Sequence, residues 1–348
     1  MNYKKLQSKI KKHKKIITRV LLGVFLAFGA FGVFAWWQVY VPKSKSYTAA
    51  IVYAAQKGMG DEEIAKDLQD QGIIKSNLFF QIYVNLIGKH ANLQAGSYKL
   101  SSSMSMAQIA KKLIAGDVIK DKLIILEGWD TQDIAKYLES KDIYSKADFF
   151  ALTNSDFSED FEILKDKPKN ISLEGYIFPD TYQIALGENP EDFLKNTISN
   201  LDKKLTPELR NEIAAQHKSI FQIITMASII EKEVKSIKDK KMVSGILWKR
   251  LAVGMPLQVD ATINYITNKN DAGVAIKDTK INSPYNTYKY AGLPAGPISS
   301  PGMDSILAAI YPTKNDYWYW LSANGTGKTI FSKTLDQHNI ARVKYLGS

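Results

Sequence analysis

The sequence of 348 residues contains no cysteine and only four histidines. Without cysteine the chain has no disulfide, no thiol nucleophile and no thiolate metal ligand, so its domains depend on hydrophobic cores of ordinary size. The histidines, at positions 13, 90, 217 and 338, are scattered without the spacing of a metal site. The composition therefore gives no support to a metal centre.

Acidic residues are missing from the first 19 positions, which hold eight basic residues. The next 22 residues, Val20 to Val41, carry no charged side chain and, at about 1.5 Å per residue, reach across a bilayer core of roughly 30 Å. The positive-inside rule then predicts a cytoplasmic head (1–19), a transmembrane helix (20–41) and an extracytoplasmic remainder. A cleaved signal peptide is the alternative, although its apolar region usually spans about 7 to 15 residues.

An excess of basic charge is also missing from the part of the chain beyond the head. The net charge is +11, but residues 20–348 contain 38 basic and 35 acidic side chains. The basic cluster is therefore juxtamembrane, where it acts as a topology signal or contacts anionic lipid. We do not expect nucleic-acid binding.

The pattern I-A-K-x-L occurs three times, beginning at Ile64, Ile109 and Ile134. Each copy places an isoleucine and a leucine four residues apart on one helix face, and Asp61, Ser105 and Thr131 precede them as candidate N-caps. Short segments of strand composition lie nearby, at residues 47–53, 93–100 and 122–126. Residues 42–160 are therefore predicted to form a small α/β lobe, either a glycan-binding module or a spacer.

The second part, predicted as residues 161–348, contains two loop-like segments rich in tyrosine, proline and glycine. Residues 173–182 include Glu174, Tyr176 and Asp180, and residues 283–302 include Tyr285 and Asn286. Rigid loops with such side chains offer ring-stacking surfaces and amide hydrogen bonds, which suit sugars and their acetamido groups. Either segment alone is equally well explained as a structural turn.

Between these loops, residues 220–234 predict a helix that is apolar nearly all the way round and therefore buried. Glu231 lies near its end, one turn after Ala227, so we expect its carboxyl group to face a partly apolar surface and to have a raised pKa. Such a group could give a proton to a glycosidic oxygen and take one back. Glu233 points about 200° away, and helix geometry does not choose between the two.

Taken together, these segments resemble the endolytic murein transglycosylase, or YceG-like, family. The resemblance is carried by residues 174–182, by Ala227-Ser228-Ile229-Ile230-Glu231-Lys232-Glu233, by residues 250–262 and by residues 285–294. It implies an α+β protein with one N-terminal membrane anchor, a LysM-like lobe and a catalytic domain built around a buried helix. It implies that Glu231 is the catalytic acid, and that no metal or other cofactor takes part.

The family reaction would cleave the bond between N-acetylmuramic acid and N-acetylglucosamine in nascent peptidoglycan, ending strand growth. The muramoyl 6-hydroxyl attacks internally and leaves a 1,6-anhydro end, so one carboxyl group serves as acid and then as base. Two alternatives stay open, a hydrolytic muramidase and a membrane-tethered glycan-binding scaffold without catalysis. Partners would be glycan strands, the plasma membrane and possible peptidoglycan synthases or elongation and division proteins.

The resemblance also suggests a set of substrate-binding residues. These are Glu174, Tyr176, Asp180, Gln258, Asp260, Thr262, Tyr285 and Asn286, with residues 258–262 in a strand-like stretch. Thr329 departs from the family pattern, which often has a histidine there, whereas His338 matches a later histidine. A β-hairpin is predicted from residues 318–322 and 329–332, across Asn324-Gly325. We expect the buried helix of the catalytic domain to lie under antiparallel strands.

Overall fold

In the computed structural model, residues 3–44, 46, 49–89, 92–269 and 273–347 are described, with the backbone alone for residues 3–12. Helix α1 covers Tyr3–Tyr40. The most apolar 18-residue window within His13–Tyr40 has a mean hydropathy of 2.1, and none of this window is buried. This helix is long and apolar enough to cross a membrane, which agrees with the predicted span.

The chain divides into two compact units. One contains Met1–Asp121 and Ala185–Glu188, and the other contains Lys122–Ile184 and Asn189–Ser348. The division lies near residue 121 rather than at the expected position near 160. The reason is packing, since Leu123, Ile125 and the following apolar residues belong to the hydrophobic core of the second unit.

The first unit combines α1 with two strands and three helices. They are β1 (Ile51–Ala55), α2 (Asp61–Asp70), α3 (Asn77–Leu86), β2 (Gly96–Leu100) and α4 (Met106–Ala115). The strands pair antiparallel, with Ile51 opposite Leu100. Both strands are shorter than predicted, and predicted strand residues 47 and 48 lie outside the described residues.

The three repeats form helices as predicted, in α2, in α4 and in α5 (Thr131–Ser140). Their isoleucines and leucines are at most 2% exposed, which confirms that the repeated pattern marks core-facing positions. Ser105 caps α4 in a complete capping box. The other two N-caps are Gly60 and Asp130, each one residue before the expected cap.

The second unit is mainly helical. After β3 (Lys120–Ile124) and α5 come α6 (Lys146–Thr153), β4 (Thr181–Ala185), α7 (Pro190–Lys204), α8 (Pro207–Ala215), α9 (Ile220–Glu233), α10 (Ile237–Ala252), α11 (Asp260–Thr267), α12 (Met303–Ile310), β5 (Tyr319–Ser322), β6 (Thr329–Ser332) and α13 (Leu335–Leu346), with short 3₁₀ turns at Glu162–Leu164 and Asp278–Lys280. Strand β3 pairs with β4, and β5 pairs antiparallel with β6. The predicted hairpin is therefore confirmed.

Helix α9 occupies the centre of this unit, and every residue from Ile223 to Ile230 is buried. It packs against α8, α10, α11 and α12, so the expected cover of antiparallel strands was wrong. The strand-like reading of residues 258–262 was also wrong, because α11 begins at Asp260. Packing of α11 against α9 outweighs the local strand preference of these residues.

Candidate active site

The side chain of Glu231 lies at the end of α9, where the helix meets α10 and the first turn of α12. Its Oε1 contacts the ammonium group of Lys240 at 2.9 Å, and both side chains are at most 8% exposed. Its Oε2 accepts hydrogen bonds from the Gly302 amide at 2.9 Å and from the Ser305 hydroxyl at 2.7 Å. Three donors therefore fix the position of this carboxyl group.

These contacts correct the expected apolar setting of Glu231. The side chain leaves the apolar part of α9 and meets the N-terminus of α12. There the Gly302 amide has no partner within its own helix and attracts negative charge. The sequence could not indicate this, because Lys240, Gly302 and Ser305 come from elements 9 to 74 residues away along the chain.

Glu127 is a second carboxyl group beside Glu231, and the sequence analysis missed it. It is exposed and follows β3. A Cβ built on Gly302 would lie 1.9 Å from Oε1 of Glu127, so this carboxyl group occupies the space over the Gly302 backbone. Partial burial, and then the nearby charge of Glu231, raise the pKa of Glu127. The local sequence feature that could have indicated Glu127 as a site residue was the Glu127-Gly128 turn after a strand.

Glu233, the alternative acid on α9, lies in a separate cluster. Its Oε2 accepts a hydrogen bond from the Trp320 indole at 3.1 Å. Burial raises the pKa of Glu233 to about 7, and the negative charge of Asp260 adds to this effect. Asp260 in turn accepts a hydrogen bond from the Tyr288 hydroxyl. The two glutamates of the motif thus face different surroundings, as their helical separation predicts.

Gln258 precedes this cluster in a left-handed backbone conformation, with a φ of 51°. Its backbone amide donates to the Thr287 carbonyl at 3.0 Å, and its side chain is exposed. Arg250 holds the same loop, because it donates to the carbonyl oxygens of Leu257 at 2.6 Å and of Trp318 at 3.0 Å. Contacts within the protein therefore position Gln258, on this loop, and Asp260, the first residue of α11.

Glu174 lies behind a separate cavity in the same unit. Its Oε2 accepts from the amide of Thr131 at 3.0 Å and from its hydroxyl at 2.7 Å, while Oε1 has no hydrogen-bond partner among the described residues. Complete burial raises the pKa of Glu174 to about 7. The cavity, of about 320 Å³, is lined in part by Asp130, Tyr265 and Tyr285.

Four other predicted binding residues differ in their burial and in their contacts. Thr262 is buried and shares hydrogen bonds with Val259 and Thr287. The Asn286 amide group bonds four backbone groups of its own loop. Tyr176 is wholly buried, and its hydroxyl has no partner among the described residues. Asp180 is exposed, and a hydrogen bond from Asn200 lowers its pKa. Substrate contact by these four remains a prediction.

The two positions near the C-terminus that we compared with the family pattern also make contacts. The Thr329 hydroxyl donates to Asp239 at 2.9 Å, and the ring of His338 stacks on Tyr319 with centroids 5.3 Å apart. Burial lowers the pKa of His338. Among the described residues no group of three metal-ligating side chains stands close enough to hold a metal ion.

A carboxyl group fixed at the junction of three helices, with a second carboxyl group beside it, defines a site for acid–base chemistry in a mixed α+β protein with one potentially membrane-spanning helix. The chain belongs to the YceG-like family, whose profile matches residues 54–344. This agrees with the resemblance carried by the sequence motifs.

Individual relatives support this assignment. The chain is 34% identical over 323 residues to the endolytic murein transglycosylase of Bacillus subtilis (strain 168), covering 88% of each chain. It is 28% identical over 347 residues to the protein of that name from Streptococcus pneumoniae (serotype 2, strain D39), covering 92% of this chain and 63% of the relative. A 2.6 Å crystal structure of a YceG-like protein from Listeria monocytogenes, 34% identical, superposes with a TM-score of 0.59 over 86% of this chain and 100% of that one.

Proposed function

We propose that this protein is an endolytic lytic transglycosylase that cleaves the bond between N-acetylmuramic acid and N-acetylglucosamine in nascent glycan strands. The observation that carries the proposal is the 34% identity to an endolytic murein transglycosylase over 88% of both chains. The Glu231 carboxyl group would first protonate the leaving glycosidic oxygen. It would then accept the proton of the muramoyl 6-hydroxyl as that oxygen bonds to C1, which leaves a 1,6-anhydro end.

The position of Glu231 supports this role. Lys240, Ser305 and the Gly302 amide hold the carboxyl group in one orientation, and fixed orientation is a large part of the advantage of an intramolecular reaction. Gln258 and Asp260, near Glu233, are candidate sugar contacts. Tyr285 lines the cavity beside α5, and Glu174 lies behind it, bonded to Thr131.

The proposal includes a location. Helix α1 would anchor the protein in the plasma membrane, with the basic head in the cytoplasm and both units outside. The first unit, with its antiparallel strand pair and three short helices, would act as a LysM-like glycan-binding lobe. Termination of glycan strands beside peptidoglycan synthases would follow from this location.

The test is digestion of un-crosslinked glycan strands by the purified full-length protein, with mass spectrometry of the new ends. We expect 1,6-anhydro ends from the wild type and at least a hundredfold lower rate from Glu231→Gln. The matched control is Glu233→Gln, which makes the same change two residues away on the same helix and should retain most of the activity. Reducing ends would instead indicate a hydrolytic muramidase. Full cellular function of the Glu231→Gln protein, without cleavage, would indicate a scaffold.

A further inference from the structure

The junction of α9, α10 and α12 contains two carboxyl groups but one buried lysine. Glu231 contacts Lys240 directly. Glu127 lies on the turn after β3, where the charges of both Glu231 and Lys240 act on it. Both carboxyl groups meet at Gly302, whose amide bonds Glu231 and whose Cα hydrogens face Glu127. Lys240 neutralises one negative charge. A second negative charge in the same place is unfavourable, and a proton bound by the two carboxyl groups removes that charge.

The other charges around Glu127 do not remove this excess. Asp304, on α12, adds a further negative charge near Glu127. Lys232, on α9, is exposed and donates to the Gly128 carbonyl at 3.1 Å, so solvent screens its charge. Glu127 is itself exposed, while the Glu231 side chain is only 8% exposed. Of the two acids, Glu127 is therefore the more accessible to a bound sugar.

We propose that Glu127 is a further catalytic residue, which shares one exchangeable proton with Glu231 and contacts the sugar at the scissile bond. The proposal rests on the proposed transglycosylase function. The C1–O bond breaks with its electron pair going to the oxygen, which takes the proton of the pair. The muramoyl 6-hydroxyl oxygen then bonds to C1 and gives its proton back, so the pair ends with one proton, as it began.

Two variants of the full-length protein test this inference by different routes. Glu127→Gln removes the charge and keeps the shape. Gly302→Ala keeps Glu127 but places a methyl group where its carboxyl group lies, while the φ of −73° suits alanine and the amide bond to Glu231 is kept. Gly60→Ala is the matched control, because Gly60 is also an N-cap glycine (φ −78°) and nothing lies within 4 Å of its Cβ position.

We expect both variants to lower kcat for un-crosslinked glycan at least tenfold, with little change in KM, and to move the alkaline limb of the pH–rate profile to lower pH. The reason is that, without the Glu127 carboxyl group in place, a single negative charge faces Lys240, so the second negative charge that favours binding of a proton is absent. Gly60→Ala should match the wild type. Wild-type rates and pH profiles for Glu127→Gln and Gly302→Ala would overturn the role of Glu127 and leave the proposed function intact. A wild type that forms no anhydro ends would overturn both.

A different observation concerns α3 in the first unit. This helix has no Asp, Glu, Lys, Arg or His, and it exposes Leu78, Ile82 and Leu86 at 58%, 41% and 80%. The four-residue spacing places these three side chains on one helix face. Next to this face, Phe79 packs on Phe31 and Phe34 of α1, with ring centroids 6.4 and 5.6 Å apart.

The contact with α1 indicates what covers this face. Phe31 and Phe34 lie about 9 to 14 Å below Tyr40 along the helix axis, which is inside the bilayer if α1 spans it. Phe79 must then lie at the same depth. We infer that α3 lies in the outer boundary of the bilayer, with Leu78, Ile82 and Leu86 against lipid. Lys75 marks the polar edge of this lipid-covered region, since its ammonium group lies 3.4 Å from the centre of the Trp37 ring.

The cysteine-free chain allows a direct test with single spin labels on the full-length protein in phospholipid vesicles. Leu86→Cys reports on the α3 face, Lys66→Cys on an exposed position of α2, and Phe28→Cys on α1. We expect the labels at 86 and 28 to collide with oxygen in the lipid, and the label at 66 to collide with a water-soluble nickel complex. Equal nickel access at 86 and 66 would overturn the inference for α3. A water-exposed label at 28 would overturn the anchor and this inference together.

Discussion

Replacing Lys240 with methionine should destabilise the second unit, because it leaves Glu231 without its cation. The side chains of the pair are 4% and 8% exposed, and removal of one partner from such a pair costs about 3 to 5 kcal/mol. Gly302 and Ser305 still bond the carboxylate, so we expect the lower end, about 3 kcal/mol. For a unit of this size, that lowers the midpoint of thermal unfolding by roughly 6 to 12 °C.

Thermal unfolding of the full-length protein in detergent, followed by circular dichroism, measures this change. The double variant Lys240→Met with Glu231→Gln should recover more than about 1 kcal/mol relative to the sum of the single variants, because it removes both charges. Strict additivity, or a midpoint within 2 °C of the wild type for Lys240→Met, would refute the argument that this ion pair organises the junction. Lys146→Met provides the control, since its pair with Glu139 is exposed and contributes little.

Three further predictions concern stability. Gly245→Ala should cost about 2 kcal/mol or more, because a Cβ there would lie 2.0 Å from the Thr313 carbonyl oxygen; an unchanged denaturant midpoint would contradict this. Ser305→Ala should cost about 1 to 2 kcal/mol by removing a donor to Glu231, and Ser305→Thr should restore part of it in the same assay. The raised pKa of Glu174 means that the folded state binds a proton more tightly, so stability should fall as pH rises from about 4.5 to 7; Glu174→Gln should flatten that slope in denaturant titrations at several pH values.

Features that depend on local periodicity were predictable from the sequence. The I-A-K-x-L repeats place their apolar residues on one helix face wherever the helix packs, so their burial in α2, α4 and α5 followed from spacing alone. The hairpin of β5 and β6 followed in the same way from strand composition around an Asn-Gly turn. The apolar run after the basic head predicted a long helix for similar reasons.

Features that depend on distant parts of the chain were not predictable in this way. The expected apolar setting of Glu231 failed because the N-terminus of α12 and Lys240 both turn toward it. Residues 258–262 have strand-like composition, yet they enter α11 because a helix there packs on α9. Glu127 lies about 100 residues before Glu231, and no local pattern connects the two.

The sequence by itself determined the helix periodicities, the anchor candidate and the motif that carries the family resemblance, because each depends on residues close together in the chain. Tertiary structure alone decided the partners of each carboxyl group. Hydrogen bonds and charge interactions act over a few ångströms in space, whatever the separation along the chain, so a lysine, a helix terminus and a second acid could meet at Glu231 only after the helices had packed.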